Sequence, residues 1–124
     1  MDTPRFSLGT VVLDCQDADA LADFYGRLLG WDVTFREPDW VLMRSPDGGT
    51  GLSFQSESWY EPPVWPEVDG QPTKMLHLDI QVDDLEAAVA HATAVGARLA
   101  EYQPLEHVRV LFDPAGHPFC LFVD

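Results

Sequence analysis

Asp17-Ala18-Asp19-Ala20-Leu21-Ala22-Asp23-Phe24-Tyr25-Gly26-Arg27-Leu28-Leu29-Gly30 is answered, at an offset of 66 residues, by Asp83-Asp84-Leu85-Glu86-Ala87-Ala88-Val89-Ala90-His91-Ala92-Thr93-Ala94-Val95-Gly96. In both stretches an acid closes an apolar run and opens a helical pattern, and a glycine ends it. In the first, Asp17 is an N-cap candidate, because a carboxylate there can accept from a free backbone N–H of the first turn. Leu21, Phe24, Tyr25, Leu28 and Leu29 recur at three-to-four spacing and make one apolar stripe, and Gly30 suits the left-handed position after the helix.

Working outward, Leu8 to Asp14 reads as a strand before this helix, and Trp31 to Phe35, Trp40 to Arg44 and Gly51 to Gln55 as three strands after it. Pro38-Asp39 and Ser45-Pro46-Asp47-Gly48-Gly49 supply the turns. The second copy repeats the order: strand Met75 to Val82, helix Asp84 to Val95, then strands Ala97 to Tyr102, His107 to Phe112 and Phe119 to Val123. There Asp83 is the expected cap, with Glu86 three residues on to complete a capping box. Leu85, Ala88, Val89, Ala92 and Val95 form the buried face, and Asp113-Pro114-Ala115-Gly116 the last turn. The expected organisation is α+β. One domain over 1–124 holds two tandem βαβββ modules, about 6–55 and about 75–124, joined by an irregular aromatic and proline-rich linker, 56–73. Each helix covers one face of its sheet, so the two modules are expected to curve a mixed sheet around a shared cleft.

The 46% hydrophobic content is enough for one core. Asp and Glu outnumber Lys and Arg by 21 to 7, a net charge of −14, which repels a phosphate backbone and argues against nucleic acid. No apolar run approaches the roughly 20 residues that span a bilayer. Met1-Asp2-Thr3-Pro4-Arg5-Phe6 lacks the basic start and apolar run of a secretory leader. Two cysteines, Cys15 and Cys120, are too few for a disulfide framework. A cytoplasmic location with free thiols is expected.

On the strand Met75 to Val82, alternation puts Leu76, Leu78, Ile80 and Val82 toward the helix and His77, Asp79 and Gln81 toward the cleft. A cleft with a few convergent polar groups among apolar walls is the usual ligand site.

The repeat, the run Phe24-Tyr25-Gly26-Arg27-Leu28-Leu29-Gly30-Trp31, the segment His77-Leu78-Asp79 and the closing Asp113-Pro114-Ala115-Gly116 together resemble the vicinal oxygen chelate superfamily, in its glyoxalase-like branch. The resemblance covers nearly the whole chain. It implies the fold above but no single reaction, since that superfamily spans metal-dependent isomerases, dioxygenases, thiol transferases and proteins that sequester bleomycin-type antibiotics. Its metal enzymes draw His and Glu ligands from the first and fourth strands of each module. Those positions correspond to Thr10 and Phe54, or Gln55 if the register slips by one, and to His77 and Cys120. Phe54 offers no donor, so the usual metal centre is not expected and no cofactor is implied. An atypical divalent ion on His77 and Cys120, completed by Asp79 or Asp14, stays open. The resemblance also implies a homodimer.

The candidate ligand-binding residues are Thr10, Trp40, Phe54, His77, Asp79, His107, Arg109 and Cys120, with His77 and Asp79 as the candidate catalytic pair. An imidazole titrates near neutrality and a carboxylate on the same face can orient it. His107 and Arg109 share a strand face, and a guanidinium there suits a carboxylate or phosphate. Trp40, Trp59, Tyr60 and Trp65 can stack on a planar or cationic ligand. Three functions compete. One is a metal-free binder of a small organic molecule, cationic or aromatic. Another is a lyase or isomerase working through His77, and the third a protein-interaction domain that uses the aromatic loop Trp59 to Trp65.

Overall fold

The structure, a computed structural model, describes residues 4–124, so the first three residues of the amino-terminal stretch read against a leader lie outside it. The first module runs β1 (Thr10–Cys15), α1 (Ala18–Leu29), β2 (Asp32–Glu37), β3 (Trp40–Arg44) and β4 (Gly51–Ser56). The second runs β5 (Leu78–Gln81), α2 (Leu85–Ala94), β6 (Arg98–Leu99), β7 (Val108–Phe112) and β8 (Pro118–Phe122). Each module is a four-stranded mixed sheet with the same topology, β1-β4-β3-β2 and β5-β8-β7-β6, its first strand parallel to its last.

α1 starts where the sequence places it. Asp17 is extended and its Oδ1 accepts from Ala20 N at 3.2 Å, while Gly30 closes the helix with φ 72°. α2 differs. Its cap is Asp84, not Asp83, with Oδ1 accepting from Ala87 N at 3.0 Å, so Glu86 lies in the first turn and closes no capping box. The glycines match at the offset of 66 residues and the caps do not, because α2 has 10 residues to the 12 of α1. Asp84→Ala is therefore expected to lower stability by about 1 kcal/mol and Asp83→Ala by much less. Urea denaturation of both variants distinguishes the two caps.

Several strands are shorter than their patterns. The run Met75 to Val82 pairs only over Leu78–Gln81, since its partner β8 begins at Pro118 and leaves Met75 and Leu76 exposed. The run Ala97 to Tyr102 pairs only over Arg98–Leu99, and a side chain takes over from the ladder beyond it. The Gln103 amide donates to Ala100 O at 2.8 Å and Val110 O at 2.9 Å, and accepts from Val110 N at 2.8 Å.

The main core lies between the sheets and their helices. Leu13, Cys15, Val41, Met43, Leu52 and Phe54 of the first sheet meet Leu21, Phe24 and Tyr25 of α1, and Leu111, Phe119 and Leu121 of the second sheet join the same cluster. Phe119 meets both Phe24 and Tyr25 edge-on, with ring centroids 6.0 and 6.2 Å apart. The modules thus share a core at their helix-bearing sides, which leaves the opposite face of each sheet available to a ligand.

Candidate functional site

The register defines the open face of the second sheet. Asp79 pairs with Cys120 and Cys120 with Val110, so these three project to one side. Their neighbours Leu78, Phe119 and Leu121 project to the other, into the core. His77, just before β5, joins them on the open face, where it lines the same cavity as Val110 and Cys120. Its Nε2 lies 3.2 Å from Asp79 Oδ1, and the donor atoms of His77, Asp79 and Cys120 all lie within 4.8 Å of one another. Burial, and then the charge of Asp79 and a hydrogen bond to it, push the Cys120 thiol above its ordinary pKa.

His77 and Cys120 line a cavity of about 200 Å³ whose remaining walls are mostly apolar, among them Trp65, Leu105, Val108 and Val110. Trp65 comes from the segment between β4 and β5. Its ring lies 5.6 Å from that of Tyr102 and 6.4 Å from that of Phe112, so it covers part of the open face. Lys74 reaches the same cavity and lies 3.4 Å from Glu67.

The other sequence candidates fall elsewhere. Thr10 is on the open face of the first sheet, where its hydroxyl accepts from Ser53 at 2.9 Å. Trp40 shares that face with its partner Gln55, and the two line a separate depression with Phe35 and Glu37. Neither Thr10, Trp40 nor Gln55 lines the His77 cavity. Phe54 is corrected outright: it is fully buried on the helix side, stacked 5.6 Å from Tyr25, and Gln55 holds the open-face position. A slip of one residue exchanges the faces of a strand.

His107 and Arg109 are corrected as well. Arg109 pairs with Leu121 and so projects to the helix side, where its Nη1 donates to the carbonyls of Val108 and Glu106 at 2.8 and 3.0 Å. His107 precedes the strand and is exposed. Their neighbours Val108 and Val110 are the ones that line the cavity. Of the two acids considered beside His77 and Cys120, Asp79 joins them. Asp14 instead lines a pocket with Tyr60, Lys74 and His117.

Sequence reasoning missed one buried polar cluster. Asp113, 4% exposed, accepts from Tyr25 Oη and His117 Nδ1, both at 2.7 Å, and from the backbone N–H groups of Ala115 and His117. The Asp-Pro-x-Gly turn foretold the backbone bonds, since an aspartate at a turn commonly caps its own loop. Nothing in the sequence pointed to Tyr25, which lies 88 residues away.

The four-ligand metal centre implied by the resemblance does not fit this chain. Thr10 is a hydroxyl engaged by Ser53, and Phe54 is core. Gln55 brings only a neutral amide, so His77 and Cys120 are the two remaining donors of that set.

Comparison with known proteins agrees with the architecture. A family model described as a glyoxalase-like domain matches residues 10–122. Among solved structures, a glyoxalase/bleomycin resistance protein/dioxygenase family enzyme from Burkholderia phytofirmans PsJN superposes with a TM-score of 0.72 at 20% identity, covering 95% of this chain and 98% of its own. A glyoxalase/dioxygenase from Nostoc punctiforme gives 0.70 at 22%, covering 95% and 90%. An antibiotic-binding protein from Streptomyces sp. CB03234 gives 0.65 at 19%, covering 98% of each chain. None of the curated proteins matches.

Proposed function

Because the chain belongs to the glyoxalase-like domain family, of the vicinal oxygen chelate type, we propose that it binds a small organic molecule on the open face of its second module, without the four-ligand metal centre of the family's metal enzymes. The observation that carries this reading is the cavity itself. Apolar walls from Trp65, Leu105, Val108 and Val110 end in a polar pole of His77 and Cys120, with the Asp79 carboxylate beside them. Such walls bury a ligand's apolar body while a few polar groups orient it. The net charge of −14 favours a cationic partner, and the indole of Trp65 favours a planar one. That one structural neighbour is an antibiotic-binding protein supports the binding of a drug-like molecule.

A second reading is favoured by the 3.2 Å approach of His77 Nε2 to Asp79 Oδ1. A carboxylate at that distance orients the imidazole, as a lyase or isomerase needs of an acid-base group.

A thermal-shift screen of cationic aromatic drugs, aldehydes and thiol adducts tests the binding reading. A ligand held at 100 times its Kd adds about 2.7 kcal/mol of stability. His77→Ala is expected to abolish that gain and leave the unliganded melting temperature within about 2 °C, because His77 is outside the core. Leu78→Ala should do the opposite. Leu78 is only partly buried, so the expected loss is about 1–2 kcal/mol, below the cost of emptying a fully buried leucine site. If no class of compound shifts the melting temperature, the binding reading fails.

The same reading takes the protein to be a cytoplasmic homodimer. Both cysteines are free, and no helix among the described residues is long and apolar enough to cross a membrane. Large apolar side chains stand exposed at Phe6, Leu8, Met75 and Leu76, where a second copy would cover them.

A further inference from the structure

We propose that Trp65 sets the size of ligand the second module accepts, holding the cavity beside His77 and Cys120 to compact single-ring cations and excluding broader planar ones. The inference rests on the small-molecule reading above and names the ligand class that reading leaves open.

The first observation is a shared wall. Among the described residues, Trp65 alone lines both the cavity of about 200 Å³ beside His77 and Cys120 and a neighbouring groove of about 580 Å³ walled by Arg98, Tyr102 and Phe112. Sites that enclose drug-sized ligands run to roughly 300–1,000 Å³, so the smaller space falls short of that range alone and enters it when joined to the groove. The indole is therefore the partition between room for one ring and room for several.

The second is how the partition is seated. Its ring packs with those of Tyr102 and Phe112, at centroid distances of 5.6 and 6.4 Å, and covers the small apolar cluster of Ala100, Val110 and Phe112. The Arg98 guanidinium, 4.4 Å from the Phe112 centroid, steadies that seat by a cation–π contact. A broad ligand has to break these contacts to enter, and a compact one does not.

The third is the backbone that carries the ring. Pro62, Pro63 and Pro66 flank Trp65, and each fixes its own φ. Val64 N donates to Pro72 O at 2.8 Å and Gln71 N to Val68 O at 3.1 Å, so the segment closes on itself. Upstream, Tyr60 Oη donates to Ala115 O at 2.9 Å, and Pro62 lies so close to Gly116 that a Cβ there would stand 2.7 Å from Pro62 Cβ. Anchored upstream and closed on itself, the segment presents the indole in one place before a ligand arrives, and a preorganised wall discriminates by shape. The charge of the ligand follows from the net −14 and from the Asp79 carboxylate beside His77, while Lys74 has Glu67 as its partner at 3.4 Å.

The test uses two planar cations of different breadth, benzamidine with one ring and proflavine with three fused rings, titrated by calorimetry into the full chain. The parent chain should bind benzamidine more tightly than proflavine. Trp65→Ala should shift the ratio of the two dissociation constants toward proflavine by at least about tenfold, the lower end of what an apolar pocket achieves for a one-methylene difference. Trp65→Leu keeps a smaller apolar cover and should shift the ratio the same way by less; it carries the test if the alanine variant fails to fold in a thermal melt. Trp59→Ala, in the same segment but 86% exposed and lining neither space, should leave the ratio unchanged. His77→Ala should weaken benzamidine binding.

Proflavine held more tightly than benzamidine by the parent chain, or a ratio unchanged in both Trp65 variants, overturns the proposal and leaves the binding reading standing. A shift as large in Trp59→Ala, or benzamidine bound as tightly by His77→Ala, overturns it too, because the selection then lies elsewhere. Binding of neither probe to any of these chains refutes the ligand class named here, whereas the binding reading falls only if the wider screen above also finds nothing.

Discussion

Asp113→Ala is expected to cost about 3–5 kcal/mol, enough to unfold a domain of ordinary marginal stability under mild denaturant. The carboxylate is buried at the turn between β7 and β8 and accepts four hydrogen bonds, two from side chains and two from the backbone. An alanine leaves all four donors without this acceptor, and each buried polar group stranded in this way costs about 1–3 kcal/mol. The most consequential is Tyr25 on α1, fully buried among Phe24, Phe54 and Phe119. Burial and the neighbouring charge of Asp113 push its phenol well above its ordinary pKa, so it stays protonated and donates. That bond joins the helix of the first module to the last turn of the second, and its loss loosens the contact between the halves. Tyr25→Phe keeps the ring and removes only the hydroxyl, so a smaller loss of about 1–3 kcal/mol is expected. Urea denaturation measures both. A loss below about 1 kcal/mol for Asp113→Ala would mean that the cluster is solvated in solution and does not bind the modules together.

Phe54→Ala is the other large effect, with an expected loss of about 3–5 kcal/mol. Its ring lies within 16° of parallel to Tyr25, and its backbone neighbours Leu13 and Val41 across the sheet are also core. The cavity left behind would be bounded by side chains anchored on two sheets and a helix, which limits collapse. Gln55→Ala, one residue on, should change stability by no more than about 0.5 kcal/mol, because its side chain is on the open face. Equilibrium denaturation of the pair reads the register of β4 directly. A stable Phe54→Ala beside a damaged Gln55→Ala would reverse the faces of the first sheet.

The same strand shows where sequence reasoning stops. Gly51 to Gln55 is visibly a strand, but its residues Leu52, Ser53 and Phe54 are all buried, so composition alone does not say which set meets the helix. β7 misleads for a related reason. The rule that polar residues face the cleft works on β5, where Leu78 and Ile80 alternate with Asp79 and Gln81. On β7 it selects His107 and Arg109, whereas the cavity is lined by Val108 and Val110. The open face there is partly covered by Trp65 and has become apolar itself, while Arg109 reaches backbone carbonyls on the helix side.

What the sequence determined by itself is therefore local or repeated: the two βαβββ copies, the Asp17 cap, the glycine that ends α1, and the side of β5 that carries Asp79 and Gln81. Each follows from backbone propensity or from a clear contrast between polar and apolar neighbours, both of which act over a few residues. The tertiary structure alone decided the pairing of Tyr25 with Asp113, the burial of Phe54, the placing of Trp65 over the second sheet, and the gathering of His77, Asp79 and Cys120 away from Thr10 and Trp40. These depend on register and on contacts between residues far apart in the chain. A shift of one residue in a strand, invisible to composition, moves every side chain to the opposite face.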